Sequence, residues 1–180
     1  MTQKGEKASL QKLNYLKTIN ILSGCSIMIN SEKIIKILAT GVGAGLSPVM
    51  PGTAGTLVGG LLCLAFSPLN WLFRFVLVAV LVGGAIYVSG RAEEIYQKKD
   101  DQRIVIDEIA GFLLAMLPVT INLLNLLLAF VLFRILDILK PFPLRDFQKF
   151  PGGWGVVADD IGAGIYTAAI LLILVIFGVL

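Results

Sequence analysis

The 180-residue sequence contains no histidine, only two cysteines, and charged residues at just 15%. Each shortage removes chemistry. Without imidazole there is no Ser-His-Asp triad, no phosphohistidine intermediate and no histidine general base. Cys25 and Cys63 lie far apart and form no C-x-x-C, which disfavours a zinc site or a redox pair. Neither is followed by arginine six residues on, so the thiolate phosphatase loop is missing, and both are read as inert small hydrophobes. There is no Asp-x-Asp pair for an aspartyl-phosphate enzyme of that type and no GxxxxGK[ST] loop for a P-loop NTPase. Any chemistry must come from carboxylates, Lys and Arg, hydroxyls, backbone amides or a metal.

What is abundant is apolar. Hydrophobic residues make up 57% of the chain, far above an ordinary soluble domain, and imply an integral membrane protein with no nucleic-acid partner. Residues 1–31 differ. They carry Lys4, Lys7, Lys12 and Lys17 against Glu6, then the patch "INILSGCSIMIN", which is too short to span. No small-residue cleavage site follows it. A mobile or surface-lying basic arm is expected there, with Met28 a natural alternative start, and residues 32–180 are expected to form one membrane domain. Five hydrophobic helices are placed at roughly 53–67, 70–90, 104–119, 121–139 and 160–179, with turn signals at Ser67-Pro68 and Pro118 to Asn125. Several are short for a ~30 Å hydrocarbon core that needs ~20 helical residues. The expected fold class is therefore all-α: a compact polytopic helical membrane bundle, with some helices short or re-entrant.

The charges test that arrangement. It puts 31–52, 91–107 and 140–159 on one side together with the N-terminus. All twelve acids and fourteen of the fifteen Lys and Arg fall on that side or at its helix ends, with Arg74 alone near the other face. The opposite loops, "SPLN" and "VTIN", are uncharged. By the positive-inside rule the charged side is cytoplasmic.

Three polar clusters share this side. "GVGAGLSPVMPGTAGT", Gly41 to Thr56, holds five glycines, two prolines, one Ser and two Thr without a charge. "DDQRIVIDEIAG", Asp100 to Gly111, puts Asp107 and Glu108 in the first turn of the third helix. In the third cluster Arg134, Asp137 and Lys140 follow one helical stripe, Pro141 stops that helix, and Asp159 and Asp160 open the fifth, where amide dipoles favour carboxylates. Each has a plain alternative. Asp159 and Asp160 could merely cap a helix, Arg134 and Asp137 could form a structural pair, and Gly41/Gly45 and Gly55/Gly59 fit GxxxG packing. Taken together they point elsewhere, because ionisable residues at membrane depth are costly and usually functional. Asp107, Glu108, Asp137, Asp159 and Asp160 beside Lys, Arg and a hydroxyl-bearing glycine loop suggest a hard-cation site next to a phosphate site. Backbone amides of such a loop can converge on an anion, and the following helix N-terminus adds to it.

At these residues the chain resembles the phosphatidylglycerophosphatase A family. The resemblance runs from about Lys33 to Tyr166 and rests on "ATGVGAGLSPVMPGTAGT", "IVIDEIAG", "FRILDILKPFPLRDF" and "GGWGVVADDIGAGIY", in that order. It implies a Mg²⁺-dependent lipid phosphatase of the bacterial inner membrane. Such an enzyme releases the terminal phosphate of phosphatidylglycerophosphate at the cytoplasmic leaflet and leaves phosphatidylglycerol. It also implies an all-helical bundle around a central helix. In that reading Asp107, Glu108, Asp159 and Asp160 hold Mg²⁺, and Asp107, Asp137, Lys140 and Asp160 form the catalytic set. Spacing leaves open which carboxylate is ligand and which is base. Arg134 and Lys140 neutralise phosphate oxygens, and the opening loop cradles the phosphate through Gly43, Ser47, Gly52, Thr53, Gly55 and Thr56. Two rivals use the same residue types: a transporter for an ion or phosphate, and a CDP-alcohol phosphotransferase. The first lacks an internal repeat, the second its DGxxAR…GxxxDxxxD pattern.

Overall fold

The computed structural model describes residues 31–180. The expected basic arm, the Met28 start and Cys25 therefore lie outside the described residues, except for Ser31, which is helical along with the rest of 31–39. Lys36–Leu180 forms a compact unit. After a 3₁₀ turn at Ala44–Leu46 come α1 (Pro51–Phe66), α2 (Trp71–Tyr96), α3 (Ile106–Ala115), α4 (Leu123–Leu139), the short α5 (Leu144–Phe147) and α6 (Gly153–Ile176), with no strand among the described residues.

Local chemistry sets most of the ends. Pro51 occupies the first turn of α1, where a missing N–H costs nothing and φ is already helical. Asn70 and Asn122 cap α2 and α4, their side-chain oxygens accepting from Phe73 N at 3.0 Å and Asn125 N at 2.8 Å. α4 ends on Lys140 in the left-handed conformation (φ 45), directly before Pro141, which cannot continue a helix.

Five principal helices stand where five were expected, but several limits move. α2 continues to Tyr96 rather than stopping at 90, and α3 ends at Ala115 rather than 119. α1 begins at Pro51, so Gly52, Thr53, Gly55 and Thr56 are helical and not part of a loop. α6 begins at Gly153 and not at 160, which makes Asp159 and Asp160 its seventh and eighth residues. The dipole at that helix start is therefore not what favours these two acids. The glycines of "GGWG" read locally as a breaker. A Cβ at Gly153 would collide with Ile86 O of α2, so close packing outweighs low helical propensity there.

Of the principal helices, α2 and α6, with 26 and 24 residues, are long and apolar enough to cross a membrane. α1, α3 and α4 are shorter, at 16, 10 and 17 residues. Trp71, Phe73 and Val80 of α2, Leu127 and Val131 of α4, and Ile173 and Ile176 of α6 are all exposed. Apolar exposure on this scale requires a lipid or protein cover.

α3 is the centre of the bundle. It packs on α1, α2, α4 and α6, and seven of its ten residues are buried, including Phe112, whose ring meets Phe133 edge-on at 5.8 Å. The crossing with α6 is set by two glycines. A Cβ at Gly111 would lie 2.6 Å from Asp160 O, and one at Gly164 would collide with Gly111 O. Two backbones this close leave no room for a methyl group. Gly111→Ala should therefore destabilise the bundle by about 1–3 kcal/mol, the usual cost of overpacking, read as a lower Tm in detergent. Gly83→Ala, whose Cβ meets nothing within 4 Å, is the control and should be neutral or slightly stabilising.

Candidate active site

The charged end of the bundle encloses a cavity of about 610 Å³. α1 reaches it through Met50, Pro51 and Gly52, α3 through Asp107 and Glu108, α4 through Arg134 and Asp137 with Lys140 just beyond, and α6 through Asp159 and Asp160. Four segments far apart in sequence thus meet at one end.

Asp107, Glu108 and Asp160 converge, each offering a carboxylate oxygen with all three atoms within 4.8 Å of one another. Asp107 and Asp160 are each only 4% exposed, so water does little to screen their repulsion. Asp107 Oδ1 accepts from Glu108 N at 3.0 Å. Glu108 Oε2 and Asp160 Oδ1 are buried with no hydrogen-bond partner. Unpartnered buried carboxylate oxygens are expensive, and an all-oxygen donor set of this kind suits a hard divalent cation. The residues present therefore fit a metal.

Two further carboxylates, Asp137 and Asp159, are paired with cationic side chains, although Asp159 Oδ1 is also buried without a hydrogen-bond partner among the described residues. Arg134 Nη1 donates to Asp137 Oδ2 at 2.7 Å, so the structural pair considered from sequence is formed, and it sits on the cavity wall. Lys140 pairs with Asp159 Oδ2, which also accepts from Gln148 Nε2 at 3.0 Å. Asp159 thus lies outside the three-carboxylate cluster, engaged by a lysine. Burial alone would lower the Lys140 pKa, but the Asp159 carboxylate reverses this and holds the ammonium above its ordinary range.

The glycine-rich segment divides. Gly52 lines the cavity, and a Cβ there would strike Glu108 Oε1 and lie 3.2 Å from Arg134 Nη1. Gly43, Ser47, Thr53, Gly55 and Thr56 do not line it. Gly43 borders a separate hollow with Lys36 and Arg103. The Ser47 hydroxyl donates to Val49 O and the Thr56 hydroxyl to Gly52 O, while Thr53 Oγ1 is buried without a partner. Gly55 and Gly59 face α3, with Cβ positions 2.7 Å from Val105 Cβ and 3.3 Å from Phe112 Cβ, as a packing face would.

Sequence reasoning passed over three residues that meet here. Gln148 reaches Asp159 across a chain reversal that no local pattern announces. Asp100 and Gln102 line the cavity from the loop before α3. Asp100 was visible in "DDQR" but not singled out. Burial first and Asp159 second push its pKa up, against the pull of Lys140.

The geometry separates two glycines that look alike in sequence. Gly52→Val should abolish the expected phosphatase turnover while the Tm holds within a few degrees, because it displaces Glu108 and Arg134. Gly55→Val should lower the Tm, with activity falling only in proportion, because it drives α1 off Val105. Equal melting losses for both would assign Gly52 to packing as well.

The Phosphatidylglycerophosphatase A family pattern matches residues 37–175. A Bacteroides thetaiotaomicron protein with the provisional name phosphatidylinositol-3-phosphatase is 34% identical, over 76% of this chain and 91% of its own. Phosphatidylglycerophosphatase A of Escherichia coli is 35% identical over 75% of this chain and 80% of its own. That of Haemophilus influenzae is 36% identical over 76% and 86%. No solved structure matches the chain. With a match of this extent, joined to a buried carboxylate cluster beside Arg134 and Lys140, the chain belongs to the phosphatidylglycerophosphatase A family.

Proposed function

We propose that the protein removes the terminal phosphate of phosphatidylglycerophosphate, releasing phosphatidylglycerol and inorganic phosphate, and that it does so with Mg²⁺. The carrying observation is the meeting of Asp107, Glu108 and Asp160 within 4.8 Å in a cavity that also holds two cationic side chains. In this reading residues 32–180 are the catalytic domain and residues 1–31 an accessory arm.

Asp107, Glu108 and Asp160 would hold the ion, with Asp159 close by. When bound, Mg²⁺ supplies Lewis-acid polarisation of the phosphoryl group and an activated water. The chain's own groups do the rest. Arg134 keeps an Nε buried without a partner beyond its bond to Asp137, so its guanidinium can turn part of its donor set toward phosphate oxygens. Lys140 brings a second positive charge to the rim, where charge builds on those oxygens in the transition state. The N-terminus of α1 opens on the cavity at Gly52 and adds the partial positive charge of its amides, with Thr53 and Thr56 in the same first turns. Asp137 and Asp159 orient the two cations through their ion pairs. Below the carboxylates lies an apolar core that includes Phe112, Phe133 and Met116, which favours a site confined to one end of the bundle over a transport path.

The active site would face the cytoplasmic side of a bacterial inner membrane, which the bundle crosses several times. Gln97→Cys and Lys149→Cys should resist an impermeant thiol reagent in intact cells and react in lysed ones; labelling of Gln97→Cys in intact cells would overturn the orientation.

Phosphate release from the purified protein in detergent tests the activity. Phosphatidylglycerophosphate should be hydrolysed in preference to phosphatidic acid and phosphatidylinositol 3-phosphate, the last included because of the Bacteroides relative's name. Excess EDTA should stop turnover and Mg²⁺ restore it. Asp107→Asn and Asp160→Asn should each lower turnover by about two to three orders of magnitude, the scale of losing one electrostatic stabiliser of a transition state, with the fold retained. Full activity in EDTA would sink the metal reading.

A further inference from the structure

The seam between α1 and α4 does not end at the polar cavity. Further into the bundle it becomes an apolar groove of about 410 Å³, walled by Leu57, Leu61 and Leu64 of α1 and Leu127 and Phe130 of α4, and floored by Phe112 of α3. The two hollows are in register. Gly52, Glu108 and Arg134 line the polar cavity, and Thr56, Phe112 and Phe130 line the groove. Each member of the second set is four residues from its counterpart in the first, so it lies on the same helical face one turn deeper. On α3 and α4 the lining therefore changes from charged to aromatic at one depth, Glu108 to Phe112 and Arg134 to Phe130, while α1 passes from Gly52 through Thr56 to Leu57 and Leu61.

The single hydroxyl in the groove is spent within α1, since Thr56 Oγ1 donates to Gly52 O at 2.9 Å. From Thr56 to Leu64 the groove runs about 12 Å at the helical rise. It is open along the outside of the bundle, where Leu57, Leu61 and Leu127 are 57%, 66% and 57% exposed. The cavity mouth is apolar on both sides of the same seam, at Met50 and Ile138, which are also exposed.

We propose that this groove receives one acyl chain of the lipid whose phosphorylated headgroup occupies the cavity above it, and that the lipid enters sideways between α1 and α4. The assignment rests on the phosphatase reading and adds to it the way the substrate's tail is held. A helix of a second copy could cover the groove, but it would leave the polar cavity, with Arg134, Lys140 and the carboxylate cluster, unfilled. A phospholipid matches both compartments, because its anionic end and its aliphatic end are covalently joined in the same order. The exposed apolar side chains of Met50 and Ile138 on the cavity lining would let the headgroup enter from the bilayer without its tail leaving apolar surroundings.

Gly60 provides the test. It lies on the groove wall, and a Cβ there meets only Phe112 Cε1, at 3.7 Å, so a larger side chain fills the groove without moving backbone. Gly60→Leu in the full chain should lower the ratio of kcat/KM for dioleoyl over dihexanoyl phosphatidylglycerophosphate by about tenfold, the scale on which a hydrophobic pocket discriminates chain groups. An unchanged ratio, whether both substrates fall equally or neither falls, would overturn the groove. A second measurement does not depend on turnover. Phosphatidylglycerophosphate carrying a diazirine midway along one acyl chain should form adducts at Leu57, Leu61 or Leu127, and Gly60→Leu should suppress them. Equal labelling of the outer face of α2 at Leu72 and Val76, or labelling untouched by the substitution, would refute the proposal. So would loss of a dimer on Gly60→Leu, which would give the groove to a second copy. If the wild-type protein released no phosphate from either lipid, the phosphatase reading would fail, and the crosslinking result would still decide whether the groove holds an acyl chain.

Discussion

The site depends on how closely two backbones approach. Gly111 of α3 and Gly164 of α6 meet with no space for a methyl group between them. Gly111 is one turn beyond Asp107 and Gly164 one turn beyond Asp160, so the glycine crossing fixes how far apart the two carboxylate-bearing turns stand. Widening the crossing by one side chain would separate Asp160 from Asp107 and Glu108 by an amount comparable to the length of a metal–oxygen bond. Packing and chemistry are therefore one constraint here, and the glycines belong to the site although they touch nothing that reacts.

Charge compensation is divided with similar economy. Six carboxylates crowd one end of an apolar bundle, Asp100 among them from the loop before α3. Asp137 and Asp159 are answered by Arg134 and Lys140. Among the described residues no cationic side chain pairs with Asp107, Glu108 or Asp160, and two of their oxygens have no hydrogen-bond partner there. In a poorly screened interior such an imbalance is costly, and a bound divalent cation removes it. The ion pairs hold the cationic side chains at the rim and leave the interior of the cluster open to a divalent cation.

Much of this was legible in the chain itself, and the part that was not has physical causes. The five principal helices follow from apolar runs separated by Ser67-Pro68 and the Pro118–Asn125 segment, and the one-sided charge distribution places Asp107, Glu108, Asp137, Asp159 and Asp160 at one end. The start of α6 was misplaced because "GGWG" has poor intrinsic helicity. Only its contact with α2, a long-range event, shows why glycine is needed at Gly153. The Gly41–Thr56 segment was read as a phosphate loop feeding a helix from about 53, although Pro51 is itself a helix-starting signal and the helix begins there. The division of labour between Gly52, which borders Glu108, and Gly55, which borders Val105, depends on helical phase once that start is known. Gln148 could not have been found at all, since its partner Asp159 lies on another element.

The shortness of α3 has one more consequence. At ten residues it is about 15 Å long, while α2 and α6 extend to about 39 and 36 Å. It cannot match a hydrocarbon layer of ~30 Å, and it need not, because its neighbours surround it and Ala115, Met116 and Val119 at its far end are buried. The helix that carries Asp107 and Glu108 is solvated by protein along its length. A change in bilayer thickness then bears on α2 and α6 rather than on α3, and because Asp160 rides on α6, the close α3–α6 crossing at Gly111 and Gly164 is what ties the carboxylates together when the long helix tilts.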